Sequence, residues 1–339
     1  MSFSASAAPT LLADLGGTNV RFALTHPDRT APLLEGSVRR YRVKDFTSLA
    51  EAIRQYFTDT GLTAKRAVIA AAGRISDGET VKITNNPWSI AAHKLQAELG
   101  MDSVHLANDF AAQSMAVTLL QPGDLVSVGS LPIPVISARE EQTFAIVGPG
   151  TGLGVGGLLM RQGKASVLQS EGGHAGFAAH NPEDIEILNY LNHRFGRVSN
   201  ERLICGQGLV NLYDAVCNIA GQTPEALQPE DITQRAENGS DAICIRTVET
   251  FAGIFGSVAG DLVLTLGAWD GVYLTGGLIP ILLPWLERRG HFRERFEAKG
   301  RFRDTMEHIP TQAIMNPEPG LVGAAALAMM ESDKSFPLK

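Results

Sequence analysis

Cysteine is scarce in this chain. The three present, Cys205, Cys217 and Cys244, are odd in number and widely spaced. They make neither a disulfide framework nor a zinc-ligand pattern, and they suit a reducing compartment. Basic charge is not in excess either: the formal net charge is −7, so the electrostatic footprint of a non-specific nucleic-acid binder is missing. The pairs Arg39-Arg40 and Arg288-Arg289 read as solvated faces. Residues 1–10 carry no positive flank and no long apolar run, and no secretory signal is expected. The apolar stretch 251–274 is broken by Asp261, Asp270 and several glycines; it reads as a buried helix followed by a strand rather than a membrane span. The expected location is cytoplasmic. The P-loop pattern, a glycine loop closed by Gly-Lys-Ser/Thr, does not occur, and no low-complexity or short solenoid repeat is found. Disorder is excluded by a composition of 44% hydrophobic and 19% charged residues, which builds an ordinary globular core. The length of 339 residues points to two domains.

Glycine is plentiful, and its placement is informative. The opening reads as a strand (11–14), a turn at Gly16-Gly17-Thr18, and a strand (20–24). Helical spacing follows over 48–57, with Gly61 as its stop, then a strand at 68–71, a helix over 90–99 ended by Gly100, a strand at 104–107 and a helix over 110–120. The opening order then returns: an apolar strand (143–147), a glycine-rich loop (148–154) and a strand (155–160), with a hairpin turn near 161–164. Two related halves, each starting with a phosphate-facing hairpin, are the expectation. Helices are predicted over 183–194, with Pro182 at N1, over 209–220 and over 241–266. A strand at 271–275 leads into Gly276-Gly277 and a helix from about Pro280, and a last helix covers 321–330.

Backbone N–H groups in tight turns cradle phosphate, and glycine lets the backbone approach closely. Two such turns suggest a polyphosphate held from both sides. Residues 152–157 match G-x-G-x-x-G, but a dinucleotide fingerprint opens a helix, whereas 155–160 reads as a strand. Asp14 stands two residues before Gly16. A carboxylate there repels phosphate unless a cation intervenes, and Mg²⁺ with its water shell fills that role; the alternative is a turn-forming Asp at a strand end.

Asp14-Leu15-Gly16-Gly17-Thr18-Asn19, Gly148-Pro149-Gly150-Thr151-Gly152-Leu153-Gly154 and Leu274-Thr275-Gly276-Gly277 resemble, in order, the two phosphate motifs and the adenosine motif of the sugar kinase, actin and heat-shock-chaperone ATPase superfamily. Within it, Ala107-Asn108-Asp109-Phe110, Glu171-Gly172-Gly173-His174 and Ser199-Asn200-Glu201-Arg202 resemble the bacterial glucokinase family, the zinc-free hexokinase-like group. The resemblance runs from about residue 11 to about residue 330. It implies an α/β fold of two domains with mixed sheets flanked by helices, of the actin-like, ribonuclease-H-like kind. The expected division is a small domain of 1–119 plus 316–339 and a large domain of 120–315, with a cleft that closes on sugar and ATP, and a homodimer. The cysteine-rich zinc motif of the sister repressor/kinase group is lacking, so no zinc is expected, and neither a nucleic-acid nor a membrane partner.

The same resemblance implies site residues. Asp109 would be the general base that takes the proton of a sugar hydroxyl as ATP is attacked, a role worth about 10²- to 10⁴-fold; taken alone, it also reads as an N-cap. Asn85, Asn108, Glu171, His174 and Glu201 would contact the sugar, together with Gly150, Thr151 and Gly152. Asp14, Gly16, Gly17, Thr18, Asn19, Gly150, Thr151, Gly152, Gly276 and Gly277 would hold ATP, and Asp14 would hold Mg²⁺ through water. Bland alternatives stand beside these: a structural histidine at His174, a first-turn helix acid at Glu201, and a plain Asn-Pro turn in Thr84-Asn85-Asn86-Pro87-Trp88. The implied reaction is ATP-dependent phosphorylation of glucose at its 6-hydroxyl, the first step of glycolysis. The rivals are a kinase for another hexose or an amino sugar, a catalytically silent sugar-binding regulator, and an ATPase chaperone module.

Overall fold

The N-terminal hairpin forms as the sequence predicts. Strand β1 (Thr10–Leu15) pairs antiparallel with β2 (Asn19–Leu24), Leu15 opposite Val20. The computed structural model describes residues 8–73, 75–83, 88–137, 139–288 and 291–332. Strand β3 (Arg39–Arg42) extends the hairpin on its β2 side. On the other side β4 (Arg66–Ala71) runs parallel to β1. A small antiparallel sheet of β5 (Ile75–Ser76), β6 (Thr80–Lys82) and β7 (Ser89–Ala91) precedes β8 (Ser103–Asn108), which runs parallel to β4. The main sheet is therefore ordered β3-β2-β1-β4-β8.

The second half repeats this plan. Strands β9 (Leu125–Ser127), β10 (Gln142–Pro149), β11 (Leu153–Arg161), β12 (Lys164–Ser170), β13 (Gly271–Leu274) and β14 (Thr311–Ile314) form a sheet ordered β12-β11-β10-β13-β14-β9. Strands β10, β11 and β12 form an antiparallel meander, and β13 and β14 add in parallel beside β10. The two Gly-Thr turns occupy equivalent places, between β1 and β2 and between β10 and β11. The repetition read from the sequence is thus a repeated topology.

Helices α1 (Leu49–Thr60) and α2 (Ala92–Leu99) cover the far face of the first sheet. Helix α1 starts where the Ser48 side chain accepts the Glu51 N–H, and it stops at Gly61, whose φ of 67° is left-handed. Helices α3 (Asp109–Ala116) and α11 (Pro319–Ser332) lie between the two sheets. Between them in sequence come α4 (Pro182–Phe195), α5 (Gly206–Ile219), α6 (Pro229–Glu237), α7 (Ala242–Leu266), α8 (Ile279–Leu286), α9 (Phe292–Glu297) and α10 (Arg303–Met306).

Alternation along the central strands builds these layers. On β1, Leu11, Ala13 and Leu15 face the α1/α2 core, while Leu12 faces α3 and α11; on β10, Phe144 and Ile146 face α3 and α11, while Ala145 and Val147 face the core that contains α7. The apolar stretch considered for a membrane is α7 followed by β13. By length and composition α7 qualifies for a span, but 67% of its apolar window is buried within the protein.

Several boundaries differ from the sequence reading. Ile90 belongs to β7, where it pairs with Val81, so the helix expected from residue 90 begins at Ala92. The helix expected over 110–120 begins one residue earlier, at Asp109, and ends at Ala116. The glycine loop expected over 148–154 shrinks to residues 150–152, because Gly148 pairs with Gly154 and Pro149 with Leu153.

Candidate active site

The first turn is closed by a hydrogen bond from Gly16 N–H to Asn19 C=O (3.0 Å), and the Thr18 carbonyl is held by Val43 N–H (2.9 Å). Register then decides the surroundings of Asp14. Across the hairpin it faces Arg21, whose guanidinium donates to Asp14 Oδ2 at 2.9 Å. Arg21 Nε also lies 3.1 Å from Glu318 Oε2, the residue just before α11, and Arg40 reaches the other Glu318 oxygen at 3.6 Å. A methyl group on Gly320, in the first turn of α11, would stand 2.6 Å from Asp14 Cγ. The carboxylate therefore sits against a helix N-terminus, where negative charge is favoured. Burial nevertheless raises the Asp14 pKa, with Arg21 and Arg40 opposing the shift.

Asp109 emerges at the junction of β8 and α3. The N-cap is Asn108, not Asp109: Asn108 Oδ1 accepts both Phe110 N–H and Ala111 N–H at 3.0 Å, and its Nδ2 donates to Gly73 C=O at 3.2 Å. Asp109 is the first helical residue, and its Oδ1 accepts the Phe110 N–H at 2.8 Å. Burial pushes the Asp109 pKa up to about 6; the nearby Asp14 and Glu171 carboxylates add to the rise, and the Phe110 N–H opposes it.

The second turn is held at one end by the first residue of α5 and at the other by the segment that precedes it. Gly150 N–H bonds Gly152 C=O (2.8 Å), and the Gly150 carbonyl accepts Gly206 N–H (2.9 Å). At the other end, Glu201 Oε2 accepts Leu153 N–H at 2.9 Å and would lie 2.5 Å from a methyl on Gly152. The second Glu201 oxygen is 3.7 Å from His174 Nδ1. Gly172 and Gly173 press so closely on the start of β11 that a side chain on Gly173 would overlap the Leu153 carbonyl. That packing carries Glu171 and His174, both exposed, to the same rim. Gly276, with φ 97°, lies beside the turn as well: a methyl on it would be 2.5 Å from the Pro149 carbonyl.

The structure thus gathers Asp14, Asp109, Glu171, His174, Glu201, the second turn and Gly276 around one region. Asn108 borders it, with its side chain engaged in the cap. Thr18 and Asn19 lie on the first hairpin turn, and Thr151 is exposed at the tip of the second. Asn85 lies outside the described residues. Arg21, Glu318 and Phe110 were missed in the sequence. The pairing of Arg21 with Asp14 was readable from the hairpin register, while Glu318 and Phe110 act through contacts distant in sequence.

Among the described residues no group of three or more His, Cys, Asp or Glu side chains converges as a metal cage. One half-buried carboxylate, Asp14, beside a phosphate turn still fits Mg²⁺, which takes most of its ligands from water and phosphate. The Asp14 Oδ2 is committed to Arg21, leaving Oδ1 for a metal-bound water.

Paired hairpin turns, a half-buried strand-end carboxylate and a third glycine loop beside them define a phosphotransferase of the sugar-kinase class with the two-domain actin-like fold. The glucokinase family model matches residues 11–331. A glucokinase of Stenotrophomonas maltophilia (strain K279a) is 53% identical over 325 residues, 96% of each chain. One from Xanthomonas oryzae pv. oryzae (strain MAFF 311018) is 51% identical over 329 residues, again 96% of each. Among solved structures, a glucokinase from an Antarctic psychrotroph superposes with a TM-score of 0.84 at 32% identity, covering 95% of this chain and 98% of that one. The chain belongs to the glucokinase family.

Proposed function

We propose that this protein is a glucokinase that transfers the γ-phosphoryl group of ATP to the 6-hydroxyl of D-glucose. Family membership supports the substrates. The observation that carries the chemistry is Asp109, a half-buried carboxylate released from capping duty by Asn108 and raised to a pKa of about 6. Near neutral pH such a group is largely ionised yet basic enough to accept a hydroxyl proton, which is the tuning a general base requires.

Phosphoryl transfer needs positioning and charge neutralisation more than covalent help. The N–H groups of the first turn (Gly16, Gly17, Thr18 and Asn19) and of the second (Gly150, Thr151 and Gly152) would cradle the phosphate chain, and Gly276-Gly277 would face the adenosine. Asp14 would hold Mg²⁺ through water, kept in place by Arg21; when bound, that ion neutralises phosphate charge. Asn85, Asn108, Glu171, His174 and Glu201 would read the sugar hydroxyls. Because Asn108 Oδ1 caps α3, its contribution would come from the amide nitrogen. The His174–Glu201 contact, with Glu201 also on Leu153 N–H, links the sugar side to the phosphate turn. Residues 1–119 with 316–339 would close against 120–315 over the bound substrates and exclude water as a competing acceptor. A cytoplasmic homodimer acting at the first step of glycolysis completes the reading. Product analysis by ³¹P NMR with Mg·ATP and glucose tests it: glucose 6-phosphate with equimolar ADP is expected, and phosphate appearing without a sugar phosphate contradicts it.

A further inference from the structure

Strand β11 carries glycine at 154 and 156, two residues apart on one face, and Gly148 of β10 lies directly opposite Gly154. Glycine inside a strand weakens it and marks a close approach by another group. At Gly154 that group is the ring of Phe110, which also borders Gly148 beside Thr275 and Gly156 beside Ser114 and Leu168. A methyl on Gly154 would overlap the ring; one on Gly148 would stand 3.1 Å from it, and one on Gly156 3.4 Å from it. Gly154 therefore serves a side chain that arrives from the other half, Gly148 and Gly156 leave room at the ring's edges, and only residues 150–152 are left to form the phosphate turn.

Phe110 follows Asp109, and its N–H donates to the Asp109 carboxylate at 2.8 Å. Further along α3, Gln113 Oε1 accepts Thr275 Oγ1–H at 3.0 Å, and a methyl on Gly156 would stand 3.0 Å from Ser114 Oγ. One face of α3 thus rests on the second half. Its opposite side is pinned by α11, where a side chain on Gly323 would overlap the Ala112 carbonyl.

We propose that Phe110 is a positioning residue: its ring, seated on Gly148, Gly154 and Gly156, fixes the Asp109 carboxylate relative to the second phosphate turn. The base springs from a strand of the first half, but its placement is set by the second half. This rests on the reading of Asp109 as general base and of residues 150–152 as donor cradle.

The test compares Phe110→Ala, Phe110→Leu, Gly154→Ala and the Gly154→Ala/Phe110→Ala double variant, with Asp109→Asn as control. Misplacing a reacting group by about 1 Å costs about 100-fold. Phe110→Ala and Gly154→Ala are therefore expected to lower kcat by about 30- to 100-fold, with glucose and ATP dissociation constants moving less than about threefold. Phe110→Leu, which keeps part of the apolar contact, falls between wild type and Phe110→Ala, and it carries the comparison if Phe110→Ala does not fold. In the double variant the new methyl enters the space the ring has left, so kcat rises at least about fivefold above Gly154→Ala alone. The proposal is overturned if Phe110→Leu and Phe110→Ala keep kcat within about twofold of wild type, if both dissociation constants rise as much as kcat falls, or if the two single effects multiply in the double variant. An active Asp109→Asn overturns the underlying reading of the base; an inactive Asp109→Asn beside unaffected Phe110 variants overturns only this inference.

Discussion

Replacing Asp109 by Asn should make the protein more stable and nearly inactive, and the two effects share one cause. Burial and the neighbouring Asp14 and Glu171 carboxylates raise the Asp109 pKa from an ordinary 3.8 to about 6. At about 1.36 kcal/mol per pKa unit, ionised Asp109 costs the fold about 3 kcal/mol. A folded-state pKa above the unfolded one means that the native state holds the proton more tightly, so stability falls as pH rises from about 4 to about 6 and then levels off. Asparagine keeps an oxygen for the Phe110 N–H, which donates at 2.8 Å, and it removes the buried charge. The variant should gain up to about 3 kcal/mol at pH 8 and little at pH 4. It should lose about 10²- to 10⁴-fold in kcat, because an amide cannot accept the hydroxyl proton. Urea unfolding at pH 4, 6 and 8 beside initial-rate kinetics measures both. In the wild type, the acid limb of kcat/KM should be half-maximal near pH 6. A folded variant with near-normal kcat refutes the assigned role, and equal stability of the two proteins at pH 8 refutes the account of the buried charge.

Glu201 braces Leu153 N–H at 2.9 Å, so Glu201→Ala should weaken ATP binding about 10-fold even without sugar, while Glu201→Gln, which keeps an acceptor, should largely preserve it. Titration calorimetry without glucose reads this, and an unchanged nucleotide affinity in Glu201→Ala would confine the residue to the sugar. Among the described residues beyond its chain neighbours, a methyl at Gly150 meets no atom within 4 Å, so Gly150→Val should fold yet obstruct the phosphate turn. Its KM for ATP should rise well above any change for glucose, and an unaltered KM for ATP contradicts the cradle.

Much of the fold was legible because local signals agreed with it. Apolar runs such as 143–147 became central strands, Ser48 and Gly61 bounded α1, and the two Gly-Thr turns marked the heads of two topologically equivalent sheets. Less was legible where distant segments decide. Gly148 and Gly154 look like parts of a phosphate loop, but they pair with each other in the β10–β11 ladder and border the Phe110 ring. Asp109 taken alone reads as the N-cap in sequence, and the structure gives that place to Asn108, whose side chain accepts the Phe110 and Ala111 N–H groups. Glu201 passes for a first-turn acid because its partner, Leu153 N–H, lies 48 residues away. Strands β3 and β9 and the small β5-β6-β7 sheet are not legible, since short and partly polar strands carry little periodic signal.

The central claim, phosphoryl transfer from ATP to glucose, is tested most directly by kcat/KM measured for glucose, mannose, fructose and N-acetylated hexosamines against ATP, ADP and polyphosphate as donors. The account predicts the highest value for glucose with Mg·ATP. A higher value for another sugar or another donor, or no transfer to any sugar, would contradict it.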